Sequence, residues 1–196
     1  MKPRVFSTFL ILFLTISAFS QVPETYYQGS VARSGFIDQA SYGPFNIGFN
    51  FNFFENTYTE FYVSSNGLVT FGAGSASATE QPIPTATIPN NFIAPFWDDL
   101  TVSTAGNILY TTIGAAPNRK LIIQFRNMGF YSELPTYPAT PYMGTFAVIL
   151  YETSGKIQVQ YRLLVLQYNE RSLGASATIG IENSTGTAGI QYAYHQ

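Results

Sequence analysis

Cysteine is absent from the 196 residues, which removes thiol nucleophiles, thiolate zinc sites, iron–sulfur clusters, disulfide frameworks and the acylated cysteine of a lipoprotein. Histidine occurs once, as His195, so a Ser-His-Asp triad or a multi-histidine metal centre would have to be built on a chain end expected to fray. Charged residues make up only 10% of the chain, 9 basic against 11 acidic. Arg119-Lys120 is the only adjacent basic pair. No clustered cationic face is available to a polyanion, which excludes nucleic acid as a partner. Uninterrupted apolar runs are short as well, and none reaches the roughly 20 residues that cross a bilayer as a helix.

Aromatic residues and turn formers dominate instead: 17 Phe, 14 Tyr, 16 Gly and 11 Pro. That is too apolar and aromatic for a disordered chain. Aromatic side chains fit a half-buried pleated surface, so the composition predicts an all-β protein of many short strands. Met1–Ser20 stands apart. Lys2 and Arg4 precede the apolar stretch 6–16, and Ala18-Phe19-Ser20 follows it, the pattern of a secretory signal cleaved before Gln21. Cleavage leaves seven basic and eleven acidic residues, a net charge of −4, and no span in the mature chain. An exported chain without cysteine fits a bacterial host better than an animal secretory pathway, where small domains lean on disulfides.

Residues 21–44 are polar and weakly patterned, a lead-in with one edge strand near Val31. Residues 45–196 form the domain proper. Phe49, Phe51 and Phe53 alternate with Asn50 and Asn52, the period of a strand wetted on one face. Residues 60–64 and 68–72 flank Ser65-Asn66-Gly67, a strong hairpin signal. Pro82, Pro84 and Pro89 make 73–91 a long surface loop. Further strands are expected over 107–112, 121–127, 145–152, 156–163, 177–182 and 189–194, with turns between them. The 146–151 run is apolar on both faces and should be central, whereas 157–161 alternates and should keep one face in water. The expected architecture is a single-domain, two-sheet antiparallel β-sandwich, jelly-roll-like in strand count.

Few residues carry possible chemistry. Asp98-Asp99 is the only acidic doublet and follows Trp97, the single tryptophan. Oxygen ligands suit a hard cation, so the pair is a candidate calcium site, with Glu182, Asn183 or Asp38 as further ligands. The alternative makes Trp97 a core plug and one Asp a backbone cap. Calcium is the only cofactor left open. Glu152 and Glu170 are lone carboxylates expected at solvated strand ends. Tyr131, Tyr137 and Tyr142, interleaved with prolines, are candidate ligand-binding residues, since tyrosine offers an apolar face and a polar tip to a sugar ring or a protein. Asn183-Ser184-Thr185 is a formal glycosylation sequon.

Three blocks resemble the nidogen-like (NIDO) extracellular domain as found in secreted bacterial proteins: Gly48-Phe49-Asn50-Phe51 through Tyr62-Val63-Ser64-Ser65-Asn66-Gly67-Leu68-Val69-Thr70-Phe71-Gly72, Asn91-Phe92-Ile93-Ala94-Pro95-Phe96-Trp97-Asp98-Asp99-Leu100, and 145–152 with 157–161. Ala177-Thr178-Ile179-Gly180-Ile181-Glu182-Asn183 is similar to the family's closing motif. The resemblance implies a non-catalytic module of cell-matrix or cell-surface adhesion, with an extracellular protein or polysaccharide as partner and no catalytic residues to carry over. It also leaves open whether the chain is a piece of a longer protein or a free-standing copy. A carbohydrate-binding module using the Tyr/Pro loop is the alternative. A glycoside hydrolase is the third reading, and requires two carboxylates about 5 to 10 Å apart in a cleft.

Overall fold

The computed structural model describes residues 28–133, 144–164, 171 and 173–196. Twelve strands form among them: β1 (Ser30–Ser34), β2 (Ile37–Asp38), β3 (Ser41–Phe53), β4 (Asn56–Ser64), β5 (Val69–Thr70), β6 (Phe92–Trp97), β7 (Leu100–Ile113), β8 (Lys120–Phe130), β9 (Gly144–Tyr151), β10 (Ile157–Leu164), β11 (Thr178–Glu182) and β12 (Gly189–Tyr194). They make two antiparallel sheets. One runs β1-β7-β8-β9-β10 with β2 also paired to β7; the other runs β12-β11-β6-β5-β4-β3. The expected all-β sandwich is what the chain adopts.

Period-two patterning decides which side of each strand is inside. In β3, Ile47, Phe49, Phe51 and Phe53 are buried while Gly48, Asn50 and Asn52 are exposed. These rings meet Phe71 and Tyr58, with Phe53–Phe71 and Tyr58–Phe71 centroids 4.8 and 4.9 Å apart. From the facing sheet come Phe125 and Phe146, stacked at 4.9 Å. Such aromatic pairs add roughly 0.5–1.5 kcal/mol each beyond area burial, which helps a core without disulfides hold its shape. As expected, β9 is interior, between β8 and β10; β10 itself lies at an edge.

Strand β6 is buried on both faces, and this was not expected of a segment containing Pro95. Three steps of β6, from Ala94 to Trp97, span the two steps from Gly180 to Thr178 of β11. The resulting irregularity tolerates a residue without an N–H. It also shifts the alternation, so that Ile93 and Phe96 join the main core while Phe92, Ala94 and Trp97 join a second cluster with Leu68 and Ile83. The 73–91 segment has no strand, as predicted, and roofs that second cluster. Trp97 Nε1 donates to the Ser77 carbonyl at 2.9 Å, and Thr178 Oγ1 to the Gln81 carbonyl at 2.9 Å. Strand β7 starts at Leu100 rather than 107, because Thr101, Ser103 and Thr104 hide the apolar alternation.

The hairpin at Asn66-Gly67 is present, with Tyr62 opposite Thr70 and Val63 opposite Val69. Unlike a solvated turn, it is buried. Asn66 Nδ2 donates to the Ala76 carbonyl at 3.0 Å, and the Asp98 N–H to the Asn66 carbonyl at 3.4 Å. The hairpin therefore forms the floor beneath the acidic doublet.

Candidate functional site

Asp98 and Asp99 occupy the bend between β6 and β7. The chain bends there as it passes from one sheet to the other, so the two carboxylates are not the alternating residues of one strand. Asp98 is only 1% exposed. Its Oδ1 accepts the Asp99 N–H at 2.7 Å, capping the bend, and faces Arg171 Nη2 at 3.3 Å. Its Oδ2 accepts the Ser176 hydroxyl. A buried carboxylate needs such partners, since an unpaired buried charge is strongly unfavourable. Both oxygens of Asp98 are thus engaged by groups of the chain itself, and a cation at the doublet would compete with the Arg171 guanidinium.

Asp99 is different. Its Oδ1 is buried without a hydrogen-bond partner. Burial pushes its carboxyl above the ordinary range, and the nearby charges of Asp38 and Asp98 push the same way, opposed by Arg171. Asp38, on β2 opposite Thr101, is raised by burial too and also has an unpartnered Oδ1. Asp38, Asp98 and Asp99 therefore come together at one end of the sandwich. Among the described residues no group of three or more His, Cys, Asp or Glu side chains is arranged to hold a metal ion.

Tyr131 belongs to the same end. A single 3-10 turn, Tyr131–Glu133, follows β8, and the Tyr131 N–H donates to the Asp99 carbonyl at 3.0 Å. Its side chain is 43% exposed. Arg171 ties this turn to the acidic bend: its guanidinium lies 4.7 Å over the Phe130 ring, its Nε donates to Ser176 Oγ at 3.1 Å, and it also contacts Ser132. Tyr137, Tyr142 and Glu170 lie outside the described residues. Sequence reasoning missed Arg171 and Ser176. The available signal was scarcity, because a chain with so few cations has few ways to neutralise a buried Asp.

Across residues 15–196 the sequence matches the family model described as NIDO related. The chain belongs to the NIDO-related family. That membership bears out the resemblance carried by the three sequence blocks. A curated relative, alpha-tectorin of Mus musculus, is 29% identical over 109 residues, 55% of this chain and 5% of that protein. The chain thus spans about a twentieth of the length of that relative. No solved structure matches.

Within this NIDO-related domain, the other proposed cation ligands are engaged far from the doublet. Glu182 is fully buried, and its Oε2 accepts the Thr85 N–H at 2.7 Å. Burial raises its carboxyl despite that bond. Asn183 is 3% exposed and organises the turn before β12, its Oδ1 accepting the Thr187 and Ala188 N–H groups at 3.0 and 3.1 Å. The formal sequon is therefore a turn anchor, with its amide turned into the fold. Glu152 has a partner that the sequence did not reveal. Arg119 clasps it through Nε at 2.8 Å, through Nη2, and through its backbone N–H at 3.0 Å. That grip lowers the Glu152 carboxyl to about 2. His195 is tied down rather than frayed: its N–H donates to the Ala177 carbonyl at 3.1 Å, and Nε2 sits 3.2 Å from Glu80.

Proposed function

We propose that this chain is an exported, non-catalytic interaction module of the adhesive type, acting outside the cell by surface complementarity with a protein or polysaccharide. Membership of the NIDO-related family over nearly the whole chain carries the reading. The site chemistry agrees with it. Asp98 is engaged in capping and ion pairing, and Glu152 and Glu182 are held by Arg119 and by the Thr85 N–H, which suits a rigid platform better than a reacting centre. In this reading Met1–Ser20 is removed before Gln21, and the lack of cysteine favours a bacterial host.

The test is attachment of the purified protein to immobilised matrix proteins and polysaccharides. Tyr131 is exposed and touches the fold mainly through its backbone, so Tyr131→Ala should weaken attachment several-fold with an unchanged melting temperature. A hydrolytic activity abolished by Asp99→Asn would overturn the proposal.

A second reading, a carbohydrate-binding module, is favoured by one observation. A shallow depression beside β4 is lined by Thr57, Tyr58, Thr59, Glu60, Tyr62 and Gly72; its hydroxyls and the half-buried Tyr62 ring are groups of the kind that contacts sugars, while Tyr58 is stacked on Phe71. In the same experiment, polysaccharide binding lost on Tyr62→Ala but kept by Tyr131→Ala would select it.

A further inference from the structure

Every sheet edge is a row of unpaired backbone groups, which soluble proteins blunt with charge, proline, irregularity or a covering group. Three of the four edges among the described residues carry a charge or a proline. Strand β3 carries Pro44, and its carbonyls at Ile47 and Gly48 accept from Thr112 Oγ1 at 2.7 Å and from Arg119. Strand β1 carries Arg33, which lies 5.7 Å over the Tyr42 ring, beside a shift in register. Strand β10 carries Arg162, and its Tyr161 hydroxyl donates to the Pro95 carbonyl of the opposite sheet. Strand β12, Gly189-Ile190-Gln191-Tyr192-Ala193-Tyr194, has a register shift but neither charge nor proline.

Its side chains are also unusual for an edge. Ile190 pairs directly with Ile181, which packs on the main core, so both project from the same face of the sheet. Yet Ile190 is 65% exposed. The register shift between Ala193 and Gln191 throws Tyr192 outward to 80% exposure. The opposite face is occupied, because Ile83 packs where Gly180 and Gly189 have no side chain and its N–H donates to Gln191 Oε1 at 2.8 Å. The hydroxyl end of Tyr161 is turned into the sandwich while the residue remains 40% exposed. Ile190 and Tyr192 therefore make an apolar ledge beside an open edge, with nothing among the described residues opposite them.

We infer that β12 is a self-association edge, on which a second copy of this chain adds its own β12 antiparallel, so that the two ledges cover one another. A row of unpaired backbone N–H and C=O groups at an edge is matched group for group by an extended strand. A two-fold pairing sets each Ile190–Tyr192 ledge against its own image, as an isologous contact requires. Charge selects this edge for the purpose. The mature chain carries a net charge of −4, but β12 brings no charge to a dyad. Pairing β1 with itself would bring Arg33 against its twin. The inference rests on the reading of the chain as an interaction module and supplies it with a homotypic contact.

Sedimentation velocity of the purified protein, from micromolar to millimolar concentration, tests it. A reversible monomer–dimer equilibrium is expected, together with slower exchange of the β12 amides as concentration rises. Tyr192→Lys and Ile190→Lys, both at exposed positions, should raise the dimer dissociation constant at least tenfold while leaving circular dichroism and melting temperature unchanged. A wild-type protein that stays monomeric to millimolar concentration would overturn the inference, even if it captured an unrelated extended peptide. So would a dimer that both lysine variants preserve and Val31→Lys, on β1, disperses. Attachment to matrix polymers persisting in monomeric Tyr192→Lys would leave the interaction reading intact while removing self-association as its basis.

Discussion

At the scale of single residues, neighbouring aspartates are held in opposite ways, and the difference is measurable. Asp98 gives both oxygens to donors, so Asp98→Ala strands the Arg171 guanidinium and the Ser176 hydroxyl. Breaking a buried pair is strongly destabilising; with Arg171 about a third exposed, the expected loss is about 2–3 kcal/mol, or a melting temperature lower by roughly 5–10 °C. Asp99 has an unpartnered oxygen and a carboxyl raised from 3.8 by burial, Asp38 and Asp98. A carboxyl that holds its proton more tightly folded than unfolded contributes stability below its unfolded value, lost as pH rises through its folded value. Wild-type protein at pH 7 therefore carries the full penalty, and Asp99→Asn should be stabilising there, by less than about 1 kcal/mol after solvent screening. The gain should vanish towards pH 3. Thermal melts of both variants across pH check this, and a destabilised Asp99→Asn at neutral pH would contradict it. The doublet was visible in the sequence because it is contiguous. Its partners were not, since Arg171 and Ser176 are 73 and 78 residues away and belong to no local pattern. Arg119 and Glu152, 33 residues apart, were hidden for the same reason.

At the scale of elements, the legible strands are those whose inner and outer sides differ. Strand β3 alternates phenylalanine with asparagine, and β10 alternates Gln158 and Gln160 with Ile157 and Val159. Where both sides are buried, as in β6, or where threonine and serine line the strand, as in the first half of β7, period-two contrast disappears. Turn chemistry was legible, but burial of the turn was not, and two glycines separate these effects. Gly155 and Gly67 both have positive φ, 61° and 78°. A Cβ at Gly155 would meet nothing within 4 Å, whereas at Gly67 it would lie 1.9 Å from the Phe96 carbonyl oxygen and 3.2 Å from Leu100 Cδ1. Gly155→Ala should thus cost about 1–2 kcal/mol, the left-handed backbone penalty alone. Gly67→Ala should cost about 4 kcal/mol or more, because the hairpin must leave β6. Chemical denaturation of both variants compares them directly; equal losses would mean that the hairpin is not clamped beneath the acidic bend.

At the scale of the whole molecule, stability rests on packing in two places: the aromatic core between the sheets, and the smaller cluster of Leu68, Ile83, Phe92, Ala94 and Trp97 under the 73–91 roof. The two share β6, whose residues serve both, so they should unfold together. Trp97 is fully buried in the smaller cluster, and as the single tryptophan it reports that cluster alone by fluorescence, while far-UV circular dichroism reports the sheets. In the wild type the two transitions should coincide. Glu182 is the point at which they can be uncoupled. It sits in β11, yet its carboxylate holds the roof through the Thr85 N–H at 2.7 Å. Removing it leaves that buried N–H without its acceptor, a loss of about 1–3 kcal/mol that falls on the roof before it falls on the sheets. Glu182→Ala should therefore move the Trp97 transition below the circular-dichroism transition by several degrees. If the two still coincide, roof and sandwich are one cooperative unit, and the long proline-bearing segment is as integral to the fold as the strands it covers.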